Sequence, residues 1–247
     1  MSDFIASGDR DLLERHGLAS FDALWALELE PVDEPNTERG GWSSVYRLEL
    51  EGRAYYLKKQ RNHLTRSVRQ PLGEPTFSRE FRNIRRYREL GIPALQAAFF
   101  AQCRVAGEQR AVLLTQALDG WQDLDVYLKT WEQLDPERQL HILRACGALA
   151  RTLHQAGQMH GCFYPKHIFL KPDGAAFQAC LIDLEKTRPL WLGRRDRIKD
   201  LEPLLRRARQ WNAEQVREFL RAYLCDEADV QRWWQWLESR RQRKESR

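Results

Sequence analysis

Trp42 to Leu50 alternates apolar and polar positions, and its β-branched and aromatic members favour a strand. Glu51-Gly52 supplies a turn, Arg53 to Lys59 is the partner strand, and Gly40-Gly41 precedes the hairpin. Upstream, residues 8–28 read as a short amphipathic helical region. Residues 61–76 hold two prolines, one glycine and many basic residues, which predicts an ordered loop. Phe77 to Leu90 reads as a helix, with Ser78 contributing to its capped start and Gly91-Ile92-Pro93 stopping it. Leu95 to Phe100 and Arg110 to Gln116 read as two more strands. Together these elements predict a small β-rich lobe carrying one helix.

After Ala117 the pattern changes. Leu124 to Trp131 is helical, and Asp135-Pro136 opens a long helix running to about Gln155, with apolar residues at 140, 143, 146, 149, 150 and 153. A loop around residue 160, two short strands and a mainly helical tail follow. The change predicts an α+β architecture of two lobes, residues 1–116 and 117–247.

Composition narrows the class. Of 247 residues, 43% are hydrophobic and 30% charged, enough for a core and a water-compatible surface. No stretch approaches the ~20 apolar residues of a membrane span, and Met1-Ser2-Asp3-Phe4 lacks the features of a signal peptide, so the expected location is the cytoplasm. The five cysteines are scattered without a C-x-x-C pair, which argues against a disulfide framework. The net charge of +5 is concentrated in three places: Arg61, His63, Arg66 and Arg69; Arg194, Arg195, Arg197 and Lys199; and Arg240, Arg241, Arg243, Lys244 and Arg247. Such clusters attract phosphate or remain a solvated surface. No nucleic-acid recognition motif accompanies them, so no nucleic-acid partner is expected.

The chemistry is concentrated in His160-Gly161-Cys162-Phe163-Tyr164-Pro165-Lys166-His167-Ile168-Phe169-Leu170, followed by Leu181-Ile182-Asp183-Leu184-Glu185. This has the outline of a kinase catalytic loop, H-x-D-x-x-x-x-N, and of the metal-holding Asp beyond it. Cys162 stands at the position of the catalytic Asp, and His167 at that of the metal-binding Asn. A thiol with its ordinary pKa of about 8.5 is mostly protonated at neutral pH and is a poor general base. A zinc site built from His160, Cys162 and His167 has suitable ligand types but no evident fourth ligand.

The order of elements resembles the protein-kinase-like fold, and more closely the lipopolysaccharide core kinase family of the Kdo/WaaP type. The residues that carry the resemblance are Arg61-Asn62-His63, Gly73-Glu74-Pro75-Thr76-Phe77-Ser78-Arg79-Glu80-Phe81, His160 to Leu170, Ile182-Asp183-Leu184 and Asp200-Leu201. It spans roughly residues 38–206. Members phosphorylate sugars of the lipopolysaccharide inner core, such as heptose, with ATP and a divalent metal. By resemblance, Lys58 holds the nucleotide phosphates, Glu80 pairs with Lys58, and Gly40, Gly41, Ser43 and Ser44 cover the phosphates. Asp183 binds Mg²⁺ with help from His167, which is normal in this family. Lys166 neutralises charge on the transferred group, and Cys162 takes the base position. Arg61, His63, Arg66 and Arg69 face a phosphorylated or carboxylated sugar. The short interval from Asp183 to Asp200 and the lack of Ala-Pro-Glu argue against peptide acceptors.

Two readings of the activity remain at this point. One is an ATP- and Mg²⁺-dependent sugar kinase. The other is a nucleotide-binding scaffold whose transfer activity was lost with the catalytic Asp. The tail, Val230 to Leu237 and the basic run after it, either lies on an anionic membrane surface, such as the inner face of the inner membrane, or packs its tryptophans on the larger lobe.

Overall fold

A computed structural model describes residues 3–37, 40–67 and 70–245. The chain forms two compact units, Met1–Arg86 with Leu95–Asp119, and Tyr87–Ala94 with Gly120–Arg247. The sequence reading places its boundary between residues 116 and 117. The segment Tyr87–Ala94 groups with the later residues because Tyr87 Oη hydrogen-bonds Thr187 Oγ1 at 2.8 Å and the Leu181 N–H donates to the Pro93 carbonyl.

The first unit contains β1 (Phe4–Ile5), α1 (Arg10–Arg15), α2 (Phe21–Ala26), β2 (Trp42–Leu50), β3 (Arg53–Arg61), β4 (Leu64–Ser67), β5 (Gln70–Pro75), all but the last three residues of α3 (Thr76–Glu89), β6 (Ala97–Val105) and β7 (Glu108–Gln116). Five strands make an antiparallel sheet in the order β1-β6-β7-β3-β2. The helical region expected over 8–28 is α1 and α2, divided at Gly17, whose φ of +67° suits the residue after a helix end. Ser20 caps α2 by accepting from the Ala23 N–H. Leu13, Leu24, Leu57, Phe99, Val112 and Leu114 are buried in the core of this unit.

Residues 64–67 and 70–75 are strands, not a loop, and they pair antiparallel, with Leu64 opposite Pro75 and Thr65 opposite Glu74. A two-stranded ribbon leaves each strand one unpaired edge, so the missing N–H groups of Pro71 and Pro75 are tolerated there. A second difference concerns Ser78. Its hydroxyl donates to Gln102 Oε1 on β6, so it pins the helix to the sheet.

The second unit contains β8 (Gln122–Asp123), α4 (Leu124–Lys129), α5 (Pro136–Gln155), β9 (Gln158–Met159), β10 (Ile168–Asp173), β11 (Ala176–Leu181), β12 (Arg188–Pro189), α6 (Arg194–Arg207), α7 (Ala213–Leu224) and α8 (Glu227–Glu245). Asp135 caps α5 through the Arg138 N–H, with Pro136 in the first turn. Its apolar stripe, Leu143, Cys146, Leu149, Ala150 and Leu153, is buried. A Cβ on Gly147 would lie 2.4 Å from the Phe219 carbonyl oxygen, so α5 and α7 touch only because residue 147 has no side chain. In α8, Trp233 packs edge-on against Tyr223, and Trp233 and Leu237 are buried. Packing therefore accounts for these two positions of the tail.

Candidate active site

In the first unit, strand alternation sends neighbouring lysines to opposite faces. Lys59 is buried and donates to the carbonyls of Trp25 and Leu27, at 2.9 and 2.5 Å, with its ammonium under the Tyr46 ring. Burial lowers its pKa from the ordinary value. Lys58 points the other way and reaches Glu80 Oε1 on α3 at 2.6 Å. The Lys58 side chain is 17% exposed and that of Glu80 4%, so this pair is largely shielded from water.

The helix that carries Glu80 is fastened at its start by Gln60, which is fully buried. Gln60 donates to the His63 carbonyl at 2.7 Å and accepts from Thr76 Oγ1 and the Phe77 N–H at 2.8 and 2.7 Å. One amide thus ties the end of β3 to the first turn of α3. Sequence reasoning passed over Gln60, because a polar residue in a strand carries no mark of its buried partners.

The segment expected over the phosphates has a mixed character. Gly40 has φ of +70°. A Cβ on Gly41 would lie 2.3 Å from the Asn62 carbonyl carbon and the His63 nitrogen, so the glycine permits a backbone crossing. Ser43 lies within β2, and its N–H donates to the Asn36 carbonyl at 2.9 Å. Ser44 is buried, and its hydroxyl has no hydrogen-bond partner among the described residues.

The proposed sugar-facing cluster is not a set of free cations. Arg61 is half-exposed and lies 3.5 Å from Glu108. His63 is buried, with Nδ1 3.2 Å from Thr76 Oγ1, and its backbone carbonyl accepts from the Thr76 N–H. Arg66 lies on β4, and Arg69 lies outside the described residues.

In the second unit, Asp200 organises the 160–167 loop. It is buried and accepts from the His160 and Gly161 N–H groups, both at 2.7 Å, with His154 Nε2 at 3.2 Å. Gly161 has φ of +80°, and a Cβ there would meet the Lys186 carbonyl oxygen at 2.7 Å. His160 is fully buried. Its Nδ1 accepts from the Cys162 N–H at 3.3 Å, which leaves Nε2–H to donate to the Ile182 carbonyl at 2.9 Å.

His167 Nδ1–H donates to the Cys162 carbonyl at 2.9 Å. Its Nε2 therefore faces Asp183 Oδ2, 3.2 Å away. Burial lowers the His167 pKa, and the nearby Asp183 charge opposes that shift. A neutral imidazole with this tautomer points a lone pair at a carboxylate, an arrangement that is relieved by a shared proton or a cation. Asp183 is held at φ of +57°, a left-handed conformation uncommon outside glycine. Such strain at the end of a strand often marks a functional position.

The base position is occupied by a buried thiol. Cys162 is 4% exposed, and its carbonyl accepts from both the Tyr164 N–H and His167. Lys186 lies beside it: the Lys186 pKa is raised chiefly by the Cys162 sulfur. Lys166 is exposed in the 3₁₀ turn Pro165–His167. The sequence offered no sign of Lys186, whose backbone carbonyl lies close to Gly161. Among the described residues, no three His, Cys, Asp or Glu side chains converge as a metal-ligand set. Both ring nitrogens of His160 are used, Nδ1 by the Cys162 N–H and Nε2 by the Ile182 carbonyl, so His160 has none left for the zinc arrangement. A single carboxylate with an imidazole behind it fits Mg²⁺, which takes most of its oxygens from phosphates and water.

The lipopolysaccharide kinase (Kdo/WaaP) family profile matches residues 22–223. Protein InaA of Escherichia coli (strain K12) is 34% identical over 170 residues, covering 68% of this chain and 78% of that protein. A solved structure of WaaP in complex with acyl carrier protein superposes with a TM-score of 0.70 at 24% identity, covering 98% of this chain and 99% of that one.

Proposed function

The chain belongs to the lipopolysaccharide kinase (Kdo/WaaP) family, and from that premise we propose that it transfers the γ-phosphoryl group of ATP to a hydroxyl of a lipopolysaccharide inner-core sugar, such as heptose, or of a related glycan. The observation that carries this reading is the shielded Lys58–Glu80 pair at 2.6 Å. In kinases such a pair must be in place for the lysine to hold the α- and β-phosphates.

Each remaining residue has a role limited by its surroundings. The Gly40–Gly41 segment brings backbone close to the phosphates. Asp183 and His167 would hold Mg²⁺, which would supply positive charge against the nucleotide phosphates. Lys166, exposed at the end of the loop, offsets charge on the transferred group. Arg61 is the sugar-facing candidate whose side chain is described, and Arg66 lies on β4. An acceptor built at the inner face of the inner membrane calls for peripheral contact with that surface. Among the described residues no helix is long and apolar enough to cross a membrane.

One observation favours a second reading, a nucleotide-binding scaffold with little transfer. Cys162 presents a buried thiol where kinases place a carboxylate. Phosphoryl transfer proceeds through a loose transition state and relies mainly on positioning and electrostatics, so loss of the base slows it without forbidding it. General-base help amounts to about 10²–10⁴-fold.

The test is thermal stabilisation by ATP with and without Mg²⁺, followed by transfer of labelled phosphate to lipopolysaccharide extract. Metal-dependent stabilisation with transfer establishes the kinase. Stabilisation without transfer supports the scaffold, and no stabilisation at millimolar ATP rejects both.

A further inference from the structure

Two arginine clusters far apart in the sequence meet in the second unit. Arg194 and Arg195 open α6, Arg240 and Arg243 lie near the end of α8, and all four line one cavity of about 670 Å³. Its walls also include Ile198 and Trp236, and among the described residues no carboxylate lines it. The Arg194 guanidinium lies 4.1 Å above the Trp236 ring.

These arginines differ from others nearby. Arg188 is paired with Asp196, Arg206 with Glu202 and Arg241 with Glu238. None of the four cavity arginines has an ion pair among the described residues, and Arg240 Nε is buried without a hydrogen-bond partner. Four like charges around one small space repel one another unless an anion enters.

The rim adds an independent observation. Trp191 and Leu192 are 72% and 58% exposed, the most exposed large apolar side chains among the described residues. They are held in that position. Asp196 accepts both of their backbone N–H groups, at 2.9 and 3.1 Å, and also pairs with Arg188, whose guanidinium lies 4.6 Å from the Trp191 ring. Their exposure is therefore built into the fold.

We propose that the Arg194–Arg195–Arg240–Arg243 cavity and the Trp191–Leu192 rim form a docking site for an anionic phospholipid surface, the lipid phosphate entering among the arginines and the rim side chains entering the headgroup–acyl boundary. A soluble phosphate satisfies the arginines but leaves Trp191 and Leu192 in water. A phosphate joined to an acyl chain accounts for both features, and tryptophan favours that boundary. The proposal gives the membrane contact expected of a kinase with a lipid-borne acceptor a specific location. It rests on that reading for its purpose only, since vesicle binding without nucleotide tests it separately from catalysis.

The experiment is co-sedimentation of the full chain with vesicles of phosphatidylcholine alone, or with about one-third phosphatidylglycerol. Wild type is expected to bind the anionic vesicles, more weakly as salt rises. Arg195→Gln with Arg243→Gln is expected to weaken binding by about 10–30-fold, at about one surface charge contribution per arginine. Trp191→Ser with Leu192→Ser is expected to weaken it by about 10-fold, with the melting temperature retained. Removing two exposed charges elsewhere, Arg104→Gln with Lys171→Gln, is expected to have little effect. The proposal is overturned by failure of wild type to bind anionic vesicles, or by equal losses in the cavity and control pairs. It is overturned as well if inorganic phosphate or a soluble acidic protein binds the cavity while vesicles do not.

Discussion

The β3–α3 region and the 160–167 loop are both held by buried polar contacts, but they keep different amounts of kinase chemistry. In the first, the pair proposed to hold the nucleotide is present: Lys58 meets Glu80 at 2.6 Å, and Gln60 fixes the helix that carries Glu80. In the second, the support is complete while the group it supports has changed. Asp200 holds the loop by two backbone N–H groups, and the side chain delivered to the base position is the thiol of Cys162. A scaffold can thus be kept by its own hydrogen bonds after the proton acceptor is replaced. Binding of nucleotide and rate of transfer are then separable properties.

The strongest way to test this contrast is at Asp183. Asp183→Ala is expected to lower phosphotransfer by about 10³-fold and to abolish the Mg²⁺-dependent part of ATP stabilisation. A thermal shift unchanged by this substitution would place the metal elsewhere. Next comes Glu80→Ala, which leaves the Lys58 ammonium largely buried without its partner. It is expected to destabilise the fold by about 3 kcal/mol in urea unfolding and to weaken ATP binding. If both changes are absent, the pair is ornamental to the first unit.

Cys162→Asp addresses the other side of the comparison. If the loop is otherwise competent, the restored carboxylate raises the transfer rate by about 10²-fold while ATP affinity hardly moves. A flat rate would show that the divergence extends beyond one residue, or that the acceptor used is wrong. The smallest effect concerns support alone. Arg188 and the N–H groups of Leu192 and Trp191 hold the Asp196 carboxyl well below its ordinary value of 3.8. A depressed folded-state pKa means that the stabilisation is full above the unfolded value and is lost as pH falls through the folded one. Arg188→Gln is expected to cost about 2 kcal/mol at neutral pH. Urea midpoints taken downward from about pH 4 should fall less steeply in that variant than in wild type.

The regular elements were legible for local reasons. The β2–β3 hairpin follows from alternation around Glu51-Gly52, and α5 from Asp135-Pro136 ahead of an apolar stripe. The β4–β5 pairing was not legible, because its strands contain the residues that normally mark loops, Pro71, Gly73 and Pro75. His63 is the corresponding case within the site. A histidine beside two arginines reads as a surface anion contact, but it is buried with Nδ1 against the Thr76 hydroxyl.

By itself, then, the sequence determined the α+β order of elements, the kinase-like spacing from His160 to Asp183 and the replacement at Cys162, because periodicity, capping and spacing are properties of neighbouring residues. Only tertiary structure decided which charges stand alone. Burial, partners and tautomers depend on residues distant in the chain: Glu108 pairs Arg61, Lys186 comes to Cys162, and α8 brings Arg240 and Arg243 to Arg194 and Arg195. A charge is neutralised or left free by whatever lies within a few ångströms of it, and that distance is set by packing.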